Sequence, residues 1–545
     1  MNRHRIEATT FGDLLLKAAD RWPDNDAIVF PESRRTYRQT VEKAYEIARS
    51  LIALGVEPGQ HVGILMPNCM PYVDLILGCA LAGIVSVPIN ARFKAHEMGY
   101  VIENADLVAL FTSDLISEYA DFAAVLGDAF PDLKHQQDVR CLDLKGAPLL
   151  KTLVMYGGAS PQGFMNWRDF EALKGGATDD DVERRRIAVA LNDPCIMMYT
   201  SGTTANPKGC PITHEHLVRN GINMNRENYL MGPADRMWDP LPLFHMSTIL
   251  PMAALFDAGA TFVTSTHFEA GAALQMIEEE KATVLFAAFP TITAALVNHP
   301  DFKTRDLSRV KRINNVAPPD LMRQFEAAFP QARQTAAYGL TEVGGVIAFG
   351  HPDDSEEHRL RACGTPFPGI EVRVTDPDTG EQMPNGQRGE LVIRGYAVFD
   401  GYYKDPVKTA ETFRDGWFRT GDLGMVDDAG QIFFLGRLKD MLKVGGENVA
   451  AVEIESFISN HPAVKLVQVV GVPDARLVEV AAAFIELRPG AQATEQEIID
   501  FCKGRIASFK VPRHVRFVTE WPMSSTKIQK YKLRDDFVAD QAAAE

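Results

Sequence analysis

Between residues 38 and 54 apolar side chains return every three or four positions. Val41, Tyr45, Ala48 and Ile52 fall near one face, which predicts an amphipathic helix. Short apolar runs at 62–66 and 85–89 read as buried strands, and the apolar 75–82 segment between them reads as a helix. The alternation returns through ATFVTS (260–265) and ATVLFAAF (282–289). Strands that alternate with helices imply mostly parallel sheets covered by helices. From about Ile370 the period changes to two. The stretch IEVRVTDPDTGEQMPNGQRGELVIRG (370–395) predicts two alternating strands with turns at 378–380 and 385–386. Further on, a helix is predicted near 452–458, strands at 466–472 and 481–487, and a helix at 495–506.

The pattern therefore predicts an α/β chain. A large N-terminal domain over 1–438 carries mostly parallel, helix-covered sheets and a small β-rich subdomain at about 365–436. A separate α+β domain over 439–545 is large enough to fold and move by itself.

Composition narrows the class. At 545 residues, 46% hydrophobic and 23% charged, the chain has ample core for a soluble protein of more than one domain. A formal charge of −16 with no basic stripe argues against a nucleic-acid partner. The seven cysteines are scattered, odd in number and without metal-ligand spacing, as for reduced thiols in a cytoplasmic protein. The start, MNRHRIEATTFGDLL, lacks a secretory apolar segment. The longest uncharged apolar run, 75–88, contains Gly78, Gly83 and Pro88, so no integral membrane association is expected.

The chemistry concentrates first in YTSGTTANPKG (199–209). A buried strand at 196–199 leads into a loop of small and hydroxyl residues, and Thr213 is a candidate N-cap for a helix through His216, Leu217 and Asn220. In a strand–loop–helix, backbone N–H groups form an anion-binding nest to which Lys208 adds charge. The loop is not a Walker A motif, because its lysine follows Pro207 and no Ser or Thr follows it. An ordinary polar turn is the competing reading.

Four further segments decide between these readings: AAYGLTEVGG (336–345), WFRTGDLG (417–424), LGRLKDMLKVGGENV (435–449) and WPMSSTKIQKYKLR (521–534). In this order and spacing they resemble the acyl-CoA synthetases of the adenylate-forming superfamily, which includes acyl and aryl CoA ligases, luciferases and peptide-synthetase adenylation domains. The resemblance runs from about residue 10 to about 534. It implies an ATP-dependent carboxylic acid–CoA ligase with ATP, Mg²⁺ and coenzyme A as cofactors or cosubstrates. A carboxylate would attack the α-phosphorus of ATP, and a thiol would then displace AMP. An enzyme that loads a carrier protein would share every motif.

The resemblance also assigns residues. Thr200, Ser201, Gly202, Thr203, Thr204 and Lys208 would hold the β- and γ-phosphates. Asn315, Ala317, Tyr338 and Gly339 would meet the adenine, Thr341 the α-phosphate, and Glu342 the Mg²⁺. Asp422, set in a glycine turn, would accept from the ribose hydroxyls, and Arg437 would add a ribose or phosphate contact. Lys527 would be the catalytic lysine carried by the second domain. Here Thr526 stands where the family usually has glycine, and the segment is one residue shorter after its proline, so Lys530 is the second candidate. Lys439 matches the hinge. Gly445, Gly446 and Glu447 would line the pantetheine tunnel, and Lys443 resembles a lysine that some plant-type ligases place near the acyl phosphate.

By the same resemblance the acyl pocket lies among PLPLFHMST (240–248), FAAFPT (286–291), NNVA (314–317) and YGLTEVGGV (338–346). His245 stands where amino-acid-activating relatives carry an aspartate, which favours an acid without an α-amino group and gives His245 a catalytic, gating place beside the carboxylate. Phe289 and Val316 would line the pocket, with Gly344 and Gly345 leaving room for a chain or ring. The expected substrate is a hydrophobic fatty or aryl-alkanoic acid. The expected partners are small molecules, with a homodimer as the assembly to test.

Overall fold

The computed structural model describes residues 8–200, 206–317, 319–444, 447–474, 476–523 and 528–544. By contact density the chain divides into two compact units. The first comprises 1–317, 322–371 and 394–416, and the second 318–321, 372–393 and 417–545. This division groups most of the β-rich segment with the C-terminal residues.

The first unit contains two seven-stranded sheets. One runs in the order Met165–Asn166, Thr152–Tyr156, Leu107–Ser113, His61–Leu65, Val85–Pro88, Pro194–Thr200 and Lys208–Thr213. All its neighbours are parallel except the last pair. The other runs Arg333–Thr335, Arg312–Asn315, Val284–Ala288, Arg236–Trp238, Thr261–Val263, Asp26–Phe30 and Ser33–Thr36, again parallel up to its final pair. Parallel strands need crossovers, and the helices of the alternating pattern supply them.

The predicted helix over 38–54 is Tyr37–Leu54. Thr36 and Gln39 close it with a capping box, and Gly55 ends it at φ +91°. The apolar 75–88 run proves to be core, as expected. Helix Met70–Ala82 is buried on every face, Gly83 turns the chain at φ +68°, and strand Val85–Pro88 follows. The helix starts five residues early because Pro71 is tolerated in a first turn, where its missing N–H has no partner to lose. Among the described residues no helix is long and apolar enough to cross a membrane.

In the β-rich region, strand Trp417–Val426 runs antiparallel to both Gly389–Gly395 and Ile432–Arg437. The C-terminal residues form a second sheet around the long pair Val464–Asp474 and Val478–Leu487. Helices Ala451–Ile458 and Glu495–Cys502 share its buried apolar cluster.

Candidate active site

The YTSGTTANPKG loop closes an antiparallel hairpin, which corrects the expected strand–loop–helix. Strand Pro194–Thr200 turns back as Lys208–Thr213, with Thr200 facing Lys208 as the last pair before the loop. The helix His214–Asn223, capped by Thr213 as predicted, begins at the far end of the second strand, so its N-terminal dipole does not act on the loop. Strand Lys208–Thr213 has Lys208, Gly209 and Cys210 before Pro211 and only Ile212 and Thr213 after it, too few residues to set an alternating period. Ser201, Gly202, Thr203 and Thr204 lie outside the described residues.

The segment Gly401–Tyr403 is docked on this hairpin. Tyr403 N donates to Gly209 O at 2.8 Å, and a Cβ at Gly209 would sit 3.1 Å from the Tyr403 Cβ. Two anchors hold the segment: Tyr403 Oη donates to Asp106 at 2.7 Å, and Lys404 pairs with the same carboxylate at 2.7 Å. Tyr402 then lies between two predicted site residues. Its ring is 5.4 Å from Lys208 Nζ, and its hydroxyl donates to Glu342 Oε1 at 2.9 Å. Burial, reinforced by Lys408, moves the Lys208 ammonium below the ordinary lysine range, against the pull of Asp405 and Glu342. Sequence reasoning missed Tyr402. Its only signal is the aromatic pair after a glycine in FDGYYKDP (399–406).

Glu342 stands in the short turn Thr341–Val343, between strands Ala337–Leu340 and Gly345–Phe349. Its carbonyl accepts from Phe399 N at 2.9 Å. Asn220 on the helix donates to Val343 O at 2.9 Å, and its other amide atom accepts from Tyr396 Oη at 2.7 Å. Gly339 is dictated by the facing strand, since a Cβ there would lie 1.8 Å from Gly345 O. Tyr338, on the same strand, is 4% exposed.

Gly344 and Gly345 do not leave the room expected of them. Both have left-handed backbone, at φ +70° and +105°. A Cβ would meet His216 and Asn220 at 3.2 Å from Gly344, and Leu250 at 3.0 Å from Gly345. These glycines let the turn bend and let two helices pack close to it.

Asn315 is also placed differently from the adenine contact expected. It is fully buried, accepting from Thr293 Oγ1 at 2.7 Å and donating to Gln334 Oε1 at 2.8 Å, so its amide is used inside the core. Val316 is 43% exposed and Ala317 half-buried beyond it. Phe289 is half-buried, following Ala288 at φ +53°. His245 is half-buried at the N-cap of helix Met246–Ala258, its ring 4.8 Å from that of Phe244.

In the second unit Asp422 is not in a turn. It lies inside the ten-residue strand Trp417–Val426, after Gly421 at φ +68°. It faces Arg437 across the ladder, and Arg437 Nε pairs with Asp422 Oδ1 at 2.8 Å. Thr420 Oγ1 accepts from Asp422 N at 2.9 Å, and Glu390 Oε1 accepts from Gly421 N at 3.1 Å. Alternation with a bulge between Leu423 and Gly424 keeps Asp422 inward, only 2% exposed. Lys439 lies in the turn Leu438–Asp440. Lys443 is exposed on strand Met441–Val444, whose partner strand begins at Glu447. Gly445, Gly446, the Glu447 side chain and Lys527 lie outside what is described. Lys530 is held by Glu455, Nζ to Oε1 at 2.6 Å.

Two family matches cover most of the chain: AMP-binding enzyme over residues 15–403, and AMP-binding enzyme C-terminal domain over 453–527. The acyl-CoA synthetase candidate YngI of Bacillus subtilis (strain 168) is 37% identical, covering 97% of each chain. The mitochondrial medium-chain acyl-CoA ligase ACSF2 of Rattus norvegicus is 33% identical, over 96% of this chain and 87% of its own. Among solved structures, the anthranilate CoA ligase AuaEII in complex with anthranoyl-AMP superimposes with a TM-score of 0.85 at 26% identity, covering 99% of both chains.

Proposed function

The chain belongs to the AMP-binding enzymes, as an acyl-CoA synthetase of the adenylate-forming kind, and from that premise we propose that it ligates a hydrophobic fatty or aryl-alkanoic acid to free coenzyme A. The observation that carries the reading is the set Lys208–Tyr402–Glu342. It gathers an ammonium, a phenol and a carboxylate beside the mouth of the hairpin loop.

An acid carboxylate oxygen attacks the α-phosphorus of ATP, the bond to the β-phosphate bridge breaks, and pyrophosphate leaves. The thiol of coenzyme A then attacks the acyl carbon, AMP leaves, and the thiol proton passes to solvent. In-line displacement of this kind is helped mainly by positioning and by charge placed around the phosphates. Lys208 supplies positive charge at the hairpin. Tyr402 keeps the Glu342 carboxylate turned toward that charge. Glu342 is a hard oxygen donor that fits Mg²⁺, an ion that binds through one or two carboxylates together with substrate phosphates. Bound there, Mg²⁺ would neutralise charge on the phosphate oxygens. Asp422 and Arg437 serve the ribose, His245 gates the carboxylate, and Lys527 serves adenylation alone, with Lys439 as the pivot of its domain.

The relatives' names support the acid class: one is a medium-chain acyl-CoA ligase and another an anthranilate CoA ligase. A cytoplasmic site of action goes with this reading, and cell fractionation tests it. The central experiment assays a panel of acids with ATP, Mg²⁺ and coenzyme A for AMP and acyl-CoA. AMP released without acyl-CoA, but with acyl transfer to a pantetheinylated carrier protein, would replace free coenzyme A by a carrier. No AMP with any acid would overturn the ligase reading.

A further inference from the structure

The second seven-stranded sheet has an oxygen-rich spot on one face that the proposed chemistry does not use. Trp238 pairs with Leu285 and Val263, and Leu285 with Ile313, and these four side chains share one buried apolar cluster. Alternation within their strands turns Phe286 and Asn314 to the opposite face, and Asp239 and Thr264 directly follow the last residues of the two neighbouring strands. This row stands at the carboxyl ends of parallel strands, where crevices open in open α/β sheets. The loops through His245, Phe289 and Val316 leave the same ends.

Asp239 is fully buried. One oxygen accepts from Leu241 N at 2.9 Å, and the other, Oδ2, has no hydrogen-bond partner among the described residues. Its neighbours in the row are engaged elsewhere: Thr264 with Asn68 at 3.5 Å, Asn314 with Thr335 O at 3.3 Å. Burial pushes the Asp239 carboxyl well above the usual carboxylate range, which favours the protonated form, and that form can donate as well as accept.

Tyr229 comes to the same face from a different element. Its ring meets that of Phe286 edge-on at 6.5 Å and lies 4.9 Å from that of Phe349. It is 2% exposed, and its hydroxyl also has no hydrogen-bond partner among the described residues. The backbone that delivers it is unusual. Met224–Tyr229 is a π-helical turn, and Leu230 follows at φ +50° with 53% exposure. Such turns gather at functional sites, and left-handed backbone is unfavourable for a leucine. Within the same turn, Asn228 donates to Phe349 O at 2.6 Å while its carbonyl oxygen is unpartnered among the described residues. Tyr229 thus packs on Phe286 with Asp239 near enough to act on its phenol, and each has a buried polar atom without a partner among the described residues. Each such atom is destabilising unless something completes it.

We propose that Asp239 and Tyr229 form a polar floor of the acyl site and take a hydroxyl or ketone oxygen on the far part of the acid. The substrate class is thus an oxygenated hydrophobic acid, in preference to a plain alkanoic acid. The inference rests on the acid-ligase reading above. A carboxyl in its protonated form and a phenol can both donate to a ketone, and together they can donate to and accept from a hydroxyl. A site built to hydrogen-bond a substrate oxygen discriminates strongly against an analogue that lacks it, because its own groups are then left unpaired.

The test uses the full chain with ATP, Mg²⁺ and coenzyme A, and straight-chain acids matched in length with and without a distal hydroxyl or ketone. The ratio of kcat/KM values is read from AMP release, and binding from the rise in melting temperature with each acid. The expected result is a preference of at least about 100-fold for one oxygenated series. Tyr229→Phe and Asp239→Leu should each lower that ratio by about tenfold or more, which corresponds to about 1.4 kcal/mol. The hydroxyl and ketone arms separate the two kinds of oxygen. Release of AMP with equal or better use of the plain acids, or a ratio that neither substitution changes, would remove the polar floor and leave the ligase reading standing. Absence of AMP release with every acid would remove both.

Discussion

Two clusters predicted for one nucleotide are assembled in different ways. Asp422 and Arg437 are direct cross-strand neighbours in a hairpin, fifteen positions apart in sequence. Lys208, Glu342 and Tyr402 come from a hairpin, a short turn and a loop, and meet only because long-range packing brings them together. The first pair needs its hairpin and little else. The second depends on Asn220, Tyr396, Asp106 and two left-handed glycines, so it has more ways to fail.

The largest expected effect lies outside both clusters and bears on how they are used. Lys527→Ala should lower acyl-AMP formation by about 1,000-fold, in the range removed with a single charge-stabilising group. It should leave thioester formation from supplied acyl-AMP near its original rate. Lys530→Ala should lower adenylation only slightly, since Glu455 already holds that ammonium. The reverse ranking would move the catalytic role to Lys530.

Next comes the bridging tyrosine. Tyr402→Leu removes both the ring under Lys208 and the hydroxyl on Glu342, and should cut adenylation by about 100-fold, the sum of two modest contacts. Tyr402→Phe keeps the ring, and should lose about tenfold with less change in KM for ATP. Equal losses in the two variants would mean that the hydroxyl alone matters.

The hairpin pair should respond less. Asp422→Ala leaves Arg437 without its partner, but that guanidinium is 37% exposed and water can solvate it. A stability loss of about 1 kcal/mol is expected by chemical denaturation, together with a rise in KM for ATP of about tenfold. A change in kcat with KM for ATP unaltered would count against a ribose role.

At neutral pH the last change has the smallest effect, and it separates the clusters only as pH falls. His216 packs beneath Gly344, and burial holds its imidazole down at about 4, against the pull of Asp400 and Glu215. The unfolded chain binds a proton there near 6.5, so between about 6.5 and 4 the unfolded state holds more protons. His216 thus favours the fold above pH 6.5, and that contribution is lost as pH falls toward 4, by up to about 1.4 kcal/mol per pH unit. His216→Gln should flatten the acid limb of the melting curve. It should also soften amide-exchange protection in the 341–345 turn before that in the 417–437 hairpin. Parallel loss in both regions would mean that the clusters share one opening event.

Much of the frame was legible in the chain. The parallel sheets, the Tyr37–Leu54 helix and the buried Met70–Ala82 helix follow from apolar period and local caps. The second strand of the loop hairpin was not legible, because six residues broken by a proline carry no period. Nor was the strand around Asp422, where glycines suggested a turn and a bulge absorbs them.

By itself the sequence determined the order of elements, the caps, the family motifs and the residue types able to meet a nucleotide, since these depend on local sterics and spacing. The tertiary structure alone decided that Asn315 faces inward to Thr293 and Gln334, and that Gly344 and Gly345 bend a turn rather than open a pocket. It alone joined Tyr402 to Lys208 and Glu342, and brought the Tyr229 ring onto Phe286. The physical reason is range. A hydrogen bond or buried polar atom is settled by whichever group arrives within about 3 Å of it, and residues from 19 to 60 and more positions apart arrive there only when sheets and helices close on one another.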